Sequence, residues 1–296
     1  MLPGNSDVPF ALGRVTRREG HWDQSIAYFE QALTLDPRNV ELLEDVAWTY
    51  AMLRQFPAAQ KLCDRVLDIM PNDRDIIAKK ASGYQAKGNL QEAARLLSGV
   101  NEQTPNDDTF GIKITQLRLE RNYGEAVRLL QARLAQFRFD SEHVKTVDQL
   151  MLAIIQRLAG DMTGAKVTAE QVRNKLEPLY KNQPDNFGLT TMLSMANAVL
   201  GESASALKEA ERTIMLFPRA KDSVYAPTFE ETLAVIQTIL GETNGAISTL
   251  TRLLQTPYDS RLYGVPVTPA LLRLDPLWDP LRTDPAFQKL CQENQP

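Results

Sequence analysis

The sequence predicts an all-α fold: an α-solenoid of about seven helix–turn–helix repeats closed by a short helical C-terminal cap. Three observations carry this prediction. Pro37, Pro71 and Pro105 follow one another at steps of 34 residues, and Pro184 and Pro218 repeat the step. A small residue recurs in one register, as Ser25, Ala59, Ala93, Ala126, Ala165, Ala206 and Ala246. A glycine separates the two helices of most units, at Gly20, Gly88, Gly160, Gly201 and Gly241, where a left-handed residue stops a helix.

Taken in order, the repeats span about 6–39, 40–73, 74–106, 107–141, 142–186, 187–221 and 222–257. In the second helix a larger residue usually stands four positions after the small one: Phe29, Cys63, Leu97, Leu130 and Leu250. Ala169 and Ala210 hold that position in the fifth and sixth units. Residues four apart share a helix face, so the small one admits the paired helix and the larger one fills the groove beside it. The first helices carry a matching pair in Leu12-Gly13, Val46-Ala47, Leu152-Ala153, Leu193-Ser194 and Leu233-Ala234. The fourth unit is degenerate, with Lys113-Ile114 at the pair and Arg121 in place of the glycine. The fifth has a longer second helix, expected from about Met162 to Tyr180, and the seventh ends one residue early at Pro257.

This pattern resembles the tetratricopeptide repeat (TPR) family over roughly residues 6–257. The resemblance implies a right-handed superhelix whose first helices line a concave groove, and a protein or peptide as the partner held there.

After Pro257 the period stops, and residues 258–296 are expected to form a C-terminal capping segment. Thr268-Pro269, Asp275-Pro276, Asp279-Pro280 and Asp284-Pro285 each place an N-capping oxygen before a proline, which starts a helix. Short helices are therefore expected at about 269–274, 276–282 and 285–292. Leu271, Leu272, Leu277, Trp278, Leu281, Phe287 and Leu290 would cover the open end of the seventh repeat. The rival reading makes Trp278 part of a ligand pocket. The stretch Leu274–Gln288 resembles the C-terminal ends of bacterial multidomain signalling proteins. There a TPR array follows a kinase, winged-helix or nucleotide-cyclase module. Met1–Asp7 is similar to the link after a preceding repeat, so the chain is expected to be part of, or derived from, something longer.

Composition narrows the function classes. Charged residues make up 24% and the net charge is −4, which does not favour non-specific nucleic-acid binding. No apolar run reaches the ~18–20 residues of a membrane span, and the start lacks the pattern of a signal peptide, so a cytoplasmic location is expected. Cys63 and Cys291 fall in distant parts of the array. A solenoid holds such parts apart, so both are expected as unpaired thiols. The two histidines, His21 and His143, lie in different repeats, and one histidine supplies neither a metal set nor a triad. No metal-ligand, phosphate-loop or nucleophile motif occurs. The chain is not expected to be an enzyme, nor to carry a cofactor or a metal.

By the TPR resemblance, the groove is lined by Phe10, Arg14, Arg17 and Arg18 in the first repeat, Glu44, Trp48 and Met52 in the second, and Ser82 and Gln85 in the third. The arginines near Trp48 suit an acidic or C-terminal peptide. The alternative is a face paired within itself, in which Glu44 takes Arg14 or Arg17 and Trp48 packs on a neighbouring helix. The clamp by which chaperone-binding TPR domains hold a terminal carboxylate is not matched, because Phe10, Arg14, Asp45, Ala78 and Ser82 stand at its positions. The leading function is a non-catalytic scaffold, the sensing or partner-binding part of a bacterial signalling protein. It would bind a protein or peptide, with no nucleic acid and no membrane insertion. The structural alternative is head-to-tail self-association through the open first repeat.

Overall fold

The computed structural model describes residues 5–292. Residues 1–4, most of the link expected ahead of the first repeat, and residues 293–296 of the cap lie outside the described residues.

The chain is all-helical, with no strand among the described residues. Fourteen helices run as consecutive pairs: α1 (Asp7–Arg18) with α2 (Trp22–Leu35), α3 (Val40–Met52) with α4 (Phe56–Ile69), and α5 (Arg74–Ala86) with α6 (Leu90–Leu96). They continue as α7 (Asp107–Leu119) with α8 (Tyr123–Gln136), α9 (Glu142–Leu158) with α10 (Met162–Asn182), α11 (Phe187–Leu200) with α12 (Ser203–Leu216), and α13 (Ala226–Leu240) with α14 (Thr243–Leu254).

The small residues that mark the repeat are all buried. In the first pair, a Cβ on Gly13 would stand 2.6 Å from the Phe29 ring, and the Ser25 hydroxyl donates to the Gly13 carbonyl at 2.8 Å. The glycine thus lets α2 close on α1 by removing the one atom that would hold it off. Asparagine or aspartate caps start most first helices: the Asn39 side chain accepts from Leu42 N at 3.0 Å and that of Asn106 from Thr109 N at 2.9 Å. α6 is short, ending where Ser98-Gly99 interrupts the helical pattern.

The turn inside each pair needs a left-handed residue. Gly20, Gly88, Gly160, Gly201 and Gly241 supply it with φ of 80–85°. In the second and fourth pairs Arg54 (φ 60°) and Arg121 (φ 58°) supply it instead, at a steric cost of about 1–2 kcal/mol each.

The C-terminal prolines start α15 (Pro269–Leu274), a 3₁₀ helix at Pro276–Leu281, and α16 (Pro285–Gln292). Thr268 and Asp275 are their caps, accepting from Leu271 N at 3.1 Å and Leu277 N at 2.9 Å. This segment does more than cover the last pair. α16 packs on α14 and the 3₁₀ helix on α13, but the segment also enters the concave side. There it shares one apolar core with Phe56 of α4, Ala86 of α5, Leu119 of α7 and part of Met195 of α11. The expectation that distant repeats stay apart is corrected on this side of the molecule, because the tail bridges them. At the far edge the two ends of the array also touch: Ser223 N donates to Arg18 O at 2.8 Å. Cys63 and Cys291 are free and buried.

Candidate functional site

The inner faces of the first helices are occupied by residues 256–282 of the same chain. The left-handed Arg54 reaches out of its turn and donates to three main-chain carbonyls, Leu253 at 2.8 Å, Thr256 at 3.0 Å and Val267 at 3.1 Å. It closes the base of the 256–268 loop. Burial lowers its pKa, against the pull of Tyr258 and Glu231. The second left-handed arginine, Arg121, makes a bidentate pair with Asp279 at 2.6 and 2.8 Å. Between these two turns Gly88 lies against Leu274 and Ala270, and Thr268 donates to Ala86 O at 2.7 Å.

Two buried polar nodes hold the segment from within. Glu231 on α13 accepts from the Tyr258 hydroxyl and the Ser260 hydroxyl, both at 2.7 Å. Burial pushes its carboxyl up to about 7, although Ser260, Tyr258 and Arg118 pull it down. Tyr258 and Ser260 are themselves fixed as donors, because their oxygens accept from Val267 N at 3.1 Å and from Leu262 N and Tyr263 N at 3.2 and 3.1 Å. The second node is Asp275, fully buried, which receives Arg118 Nε at 3.1 Å and the Tyr263 hydroxyl at 2.8 Å. Trp278, also fully buried, donates its indole N–H to the Tyr263 oxygen at 2.9 Å. Trp278 is a core side chain, and the pocket reading of it is not met.

The predicted groove residues divide into a sealed part and a rim. Arg17 is buried and spends its guanidinium on Asp45 and on the Thr49 hydroxyl at 2.7 Å, with its carbon 4.3 Å from the centre of the Trp48 ring. Met52, Ser82 and Gln85 are buried. Ser82 donates to Lys79 O at 2.8 Å, and Gln85 to Ile112 O and Gln116 at 3.1 and 3.0 Å. Trp48 donates its indole N–H to Asp259 of the tail at 3.0 Å. Phe10 packs at the edge of the first core, 6.1 Å from Phe29.

Arg14 pairs with Glu41 at 2.7 Å and with Asp45. Glu44 does not take either arginine, as expected of it, but binds Lys79 at 3.2 Å. Asp45, one residue on and about 100° round the helix, faces α1 instead. Arg18 stays exposed, with a long pair to Asp222 at 3.5 Å and its guanidinium over the Tyr225 ring. Arg261 of the tail lies over the same ring and forms only long pairs, to Asp259 at 3.7 Å and Asp108 at 3.8 Å. Arg14, Arg18, Arg261, Glu41 and Asp108, around half-buried Trp48 and Tyr225, therefore form a mixed-charge aromatic rim.

Sequence reasoning missed the residues that fill the groove: Arg54, Arg118, Glu231, Tyr258 and Asp275. The signal for Arg54 was present, since it stands like Arg121 where the other repeats have glycine. Among the described residues no group of three or more His, Cys, Asp or Glu side chains is placed to hold a metal ion. No helix of the described residues is long and apolar enough to cross a membrane.

Residues 17–83 match the family model of the tetratricopeptide repeat. No curated protein matches the sequence. Among solved structures the chain is similar to a tetratricopeptide repeat protein from Parabacteroides merdae, at 18% identity, with 80% of this chain and 86% of that one covered and a TM-score of 0.56. It is also similar to PilW, a type IV pilus biogenesis factor (16% identity, 84% and 92% covered, TM-score 0.36), and to the MamA protein (15%, 71% and 91%, 0.30). The first of these likenesses shows the fold, an α-solenoid of the tetratricopeptide kind.

Proposed function

We propose that this chain is a non-catalytic protein–protein interaction scaffold, the partner-binding part of a bacterial cytoplasmic signalling protein. The observation that carries the scaffold reading is the way the concave side holds polypeptide. Arg54 recognises main-chain carbonyls rather than one side chain, and apolar side chains of the array, among them Phe56, Ala86 and Leu119, line the space around the held segment. That is chemistry for binding chain, with no group poised to transform it. The signalling part of the reading is supported by the resemblance of Leu274–Gln288.

Because the tail occupies the deep groove, a partner segment meets the rim. Charges of both signs there give register and orientation more than raw affinity, while half-buried Trp48 and Tyr225 are the anchor side chains. The test is site-specific photo-crosslinking in the source cells, with the photoreactive residue placed at Arg261 on the rim or at Glu170 on the outer face of α10. A discrete adduct with another protein from the rim position and none from Glu170 is the expected result. Adducts equal at both positions, or absent from the rim, would overturn the reading.

A further inference from the structure

Two departures from the repeat meet at one gap between α3, α4 and α5. Two positions after the small residue of the first helix, other repeats hold Thr49, Gln116, Ile155, Ala196 and Ile236, all buried, whereas α5 has Gly83. One position after the small residue of the second helix, most repeats hold an apolar residue, as Ile26, Val127, Leu207 and Ile247, whereas α4 has Gln60. Packing does not demand this glycine. A Cβ on Gly83 would meet its nearest neighbours, Gln60 Nε2 and the Phe56 ring, at 3.6 and 3.9 Å, where one on Gly13 would stand 2.6 Å from Phe29. The missing side chain and small neighbours leave a gap of about 430 Å³, its open mouth included, with Ala47, Ala51, Phe56, Ala59 and Val265 on its walls.

One polar atom faces this apolar space. Gln60 Oε1 accepts from Lys87 Nζ at 3.1 Å. An ammonium only donates, so the amide oxygen is on that side and the NH₂ on the other. Gln60 Nε2 is buried and finds no hydrogen-bond partner among the described residues. Two lysines also border the gap, but their charges are spent, Lys79 on Glu44 at 3.2 Å and Lys80 on Asp64.

We infer that this gap binds a small neutral molecule with an apolar body and one accepting oxygen, of the ketone or ester class. The oxygen takes the Gln60 N–H that the chain leaves unpaired, and the body fills the place of the side chain that Gly83 lacks. Water is a poor occupant, because it needs several polar partners and the walls are apolar. A charged molecule would lose its hydration and find both lysines already paired.

The probe is cyclohexanone, titrated into the full chain and followed by NMR on the Gly83 amide and the Gln60 side-chain amide. Saturable shifts are expected, with a dissociation constant of about 1 mM or tighter. Gln60→Leu, which puts an apolar residue where other repeats have one, should weaken binding about fivefold, the worth of one hydrogen bond. Gly83→Ile, the residue α9 and α13 carry there, should fill the gap and abolish binding. An unaltered circular-dichroism spectrum checks both folds, and either variant alone decides the matter if the other does not fold. Shifts that do not saturate, binding indifferent to both variants, or cyclohexanecarboxylate bound more tightly than cyclohexanone would overturn the inference. None of these outcomes bears on the rim adduct at Arg261, so the two readings fail separately.

Discussion

Three turns on one side of the array and three on the other are the same element put to different use. Gly160, Gly201 and Gly241 sit at φ 82–85° with nothing within 4 Å of the place a side chain would start. Arg54, Gly88 and Arg121 take up the same conformation, and every one of them touches the C-terminal segment. Where a turn has only to turn, glycine serves. Where it must also hold the tail, arginine appears twice in spite of the backbone cost. The second, third and fourth pairs and the tail thus form one interlocked body, while the turns of the fifth, sixth and seventh pairs are those of a plain repeat.

The largest test of that contrast is to unfasten the tail. Trp278→Ala empties a fully buried site and removes the N–H that the Tyr263 oxygen accepts, and should cost about 3–5 kcal/mol. Asp275→Ala leaves Arg118 buried without its partner, with a loss of similar size. Both should appear in urea unfolding followed by tryptophan or helical signal. A loss below about 1 kcal/mol for both would mean that the tail is a superficial cap.

How far this was legible in the sequence follows from the range of each interaction. The helix pairs were legible because their determinants are local: Gly13 under Phe29, caps three residues from their targets, prolines at the starts of the tail helices. The path of the tail was not, because its contacts join residues some 200 positions apart, such as Trp48 and Asp259 or Arg54 and Val267. Periodicity carries no information on such pairs. The candidate site suffered accordingly. The arginine-and-tryptophan cluster was found, yet Arg17 and Trp48 had partners that no local pattern announces. Glu44 and Asp45 were exchanged because adjacent residues on a helix face different neighbours.

A second test uses the two raised carboxyls, one on each side of the contrast. Glu231, in the tail seam, is pushed up to about 7 by burial, and Asp148, where α9 meets Arg133, is pushed up to about 6 by burial against Arg133's opposing charge. A carboxyl whose folded-state pKa is raised binds its proton more tightly in the folded chain. The stability it confers is therefore present in acid and is lost as pH rises through the folded value. Stability should fall from about pH 4 to pH 7, by up to about 3 kcal/mol from Glu231. Glu231→Gln should remove its share of the fall across about pH 4.5 to 7, the whole of it above about pH 6, and leave the fall from about pH 4 to 6 that belongs to Asp148. A variant whose profile overlays the parent's would assign the titration to another group.

The smallest effects are the sharpest, because they put the same change of backbone chemistry on both sides. Gly160→Ala and Gly201→Ala should each cost about 1–2 kcal/mol, the price of a left-handed Cβ with nothing else disturbed. Arg54→Gly runs the other way. It removes that strain and, if the turn were only a turn, would stabilise the chain by about 1 kcal/mol. It also strips the donors from the Leu253, Thr256 and Val267 carbonyls, and part-buried hydrogen bonds are worth about 1 kcal/mol net apiece. The bonds outweigh the strain, so Arg54→Gly should lower stability by about 2 kcal/mol, with Arg54→Lys recovering little because one ammonium cannot span the three carbonyls. An Arg54→Gly variant more stable than its parent in chemical denaturation would erase the distinction between the two sets of turns. Arginine at Arg54 and Arg121 would then be a tolerated exception to glycine, and the tail would be held by its apolar core alone.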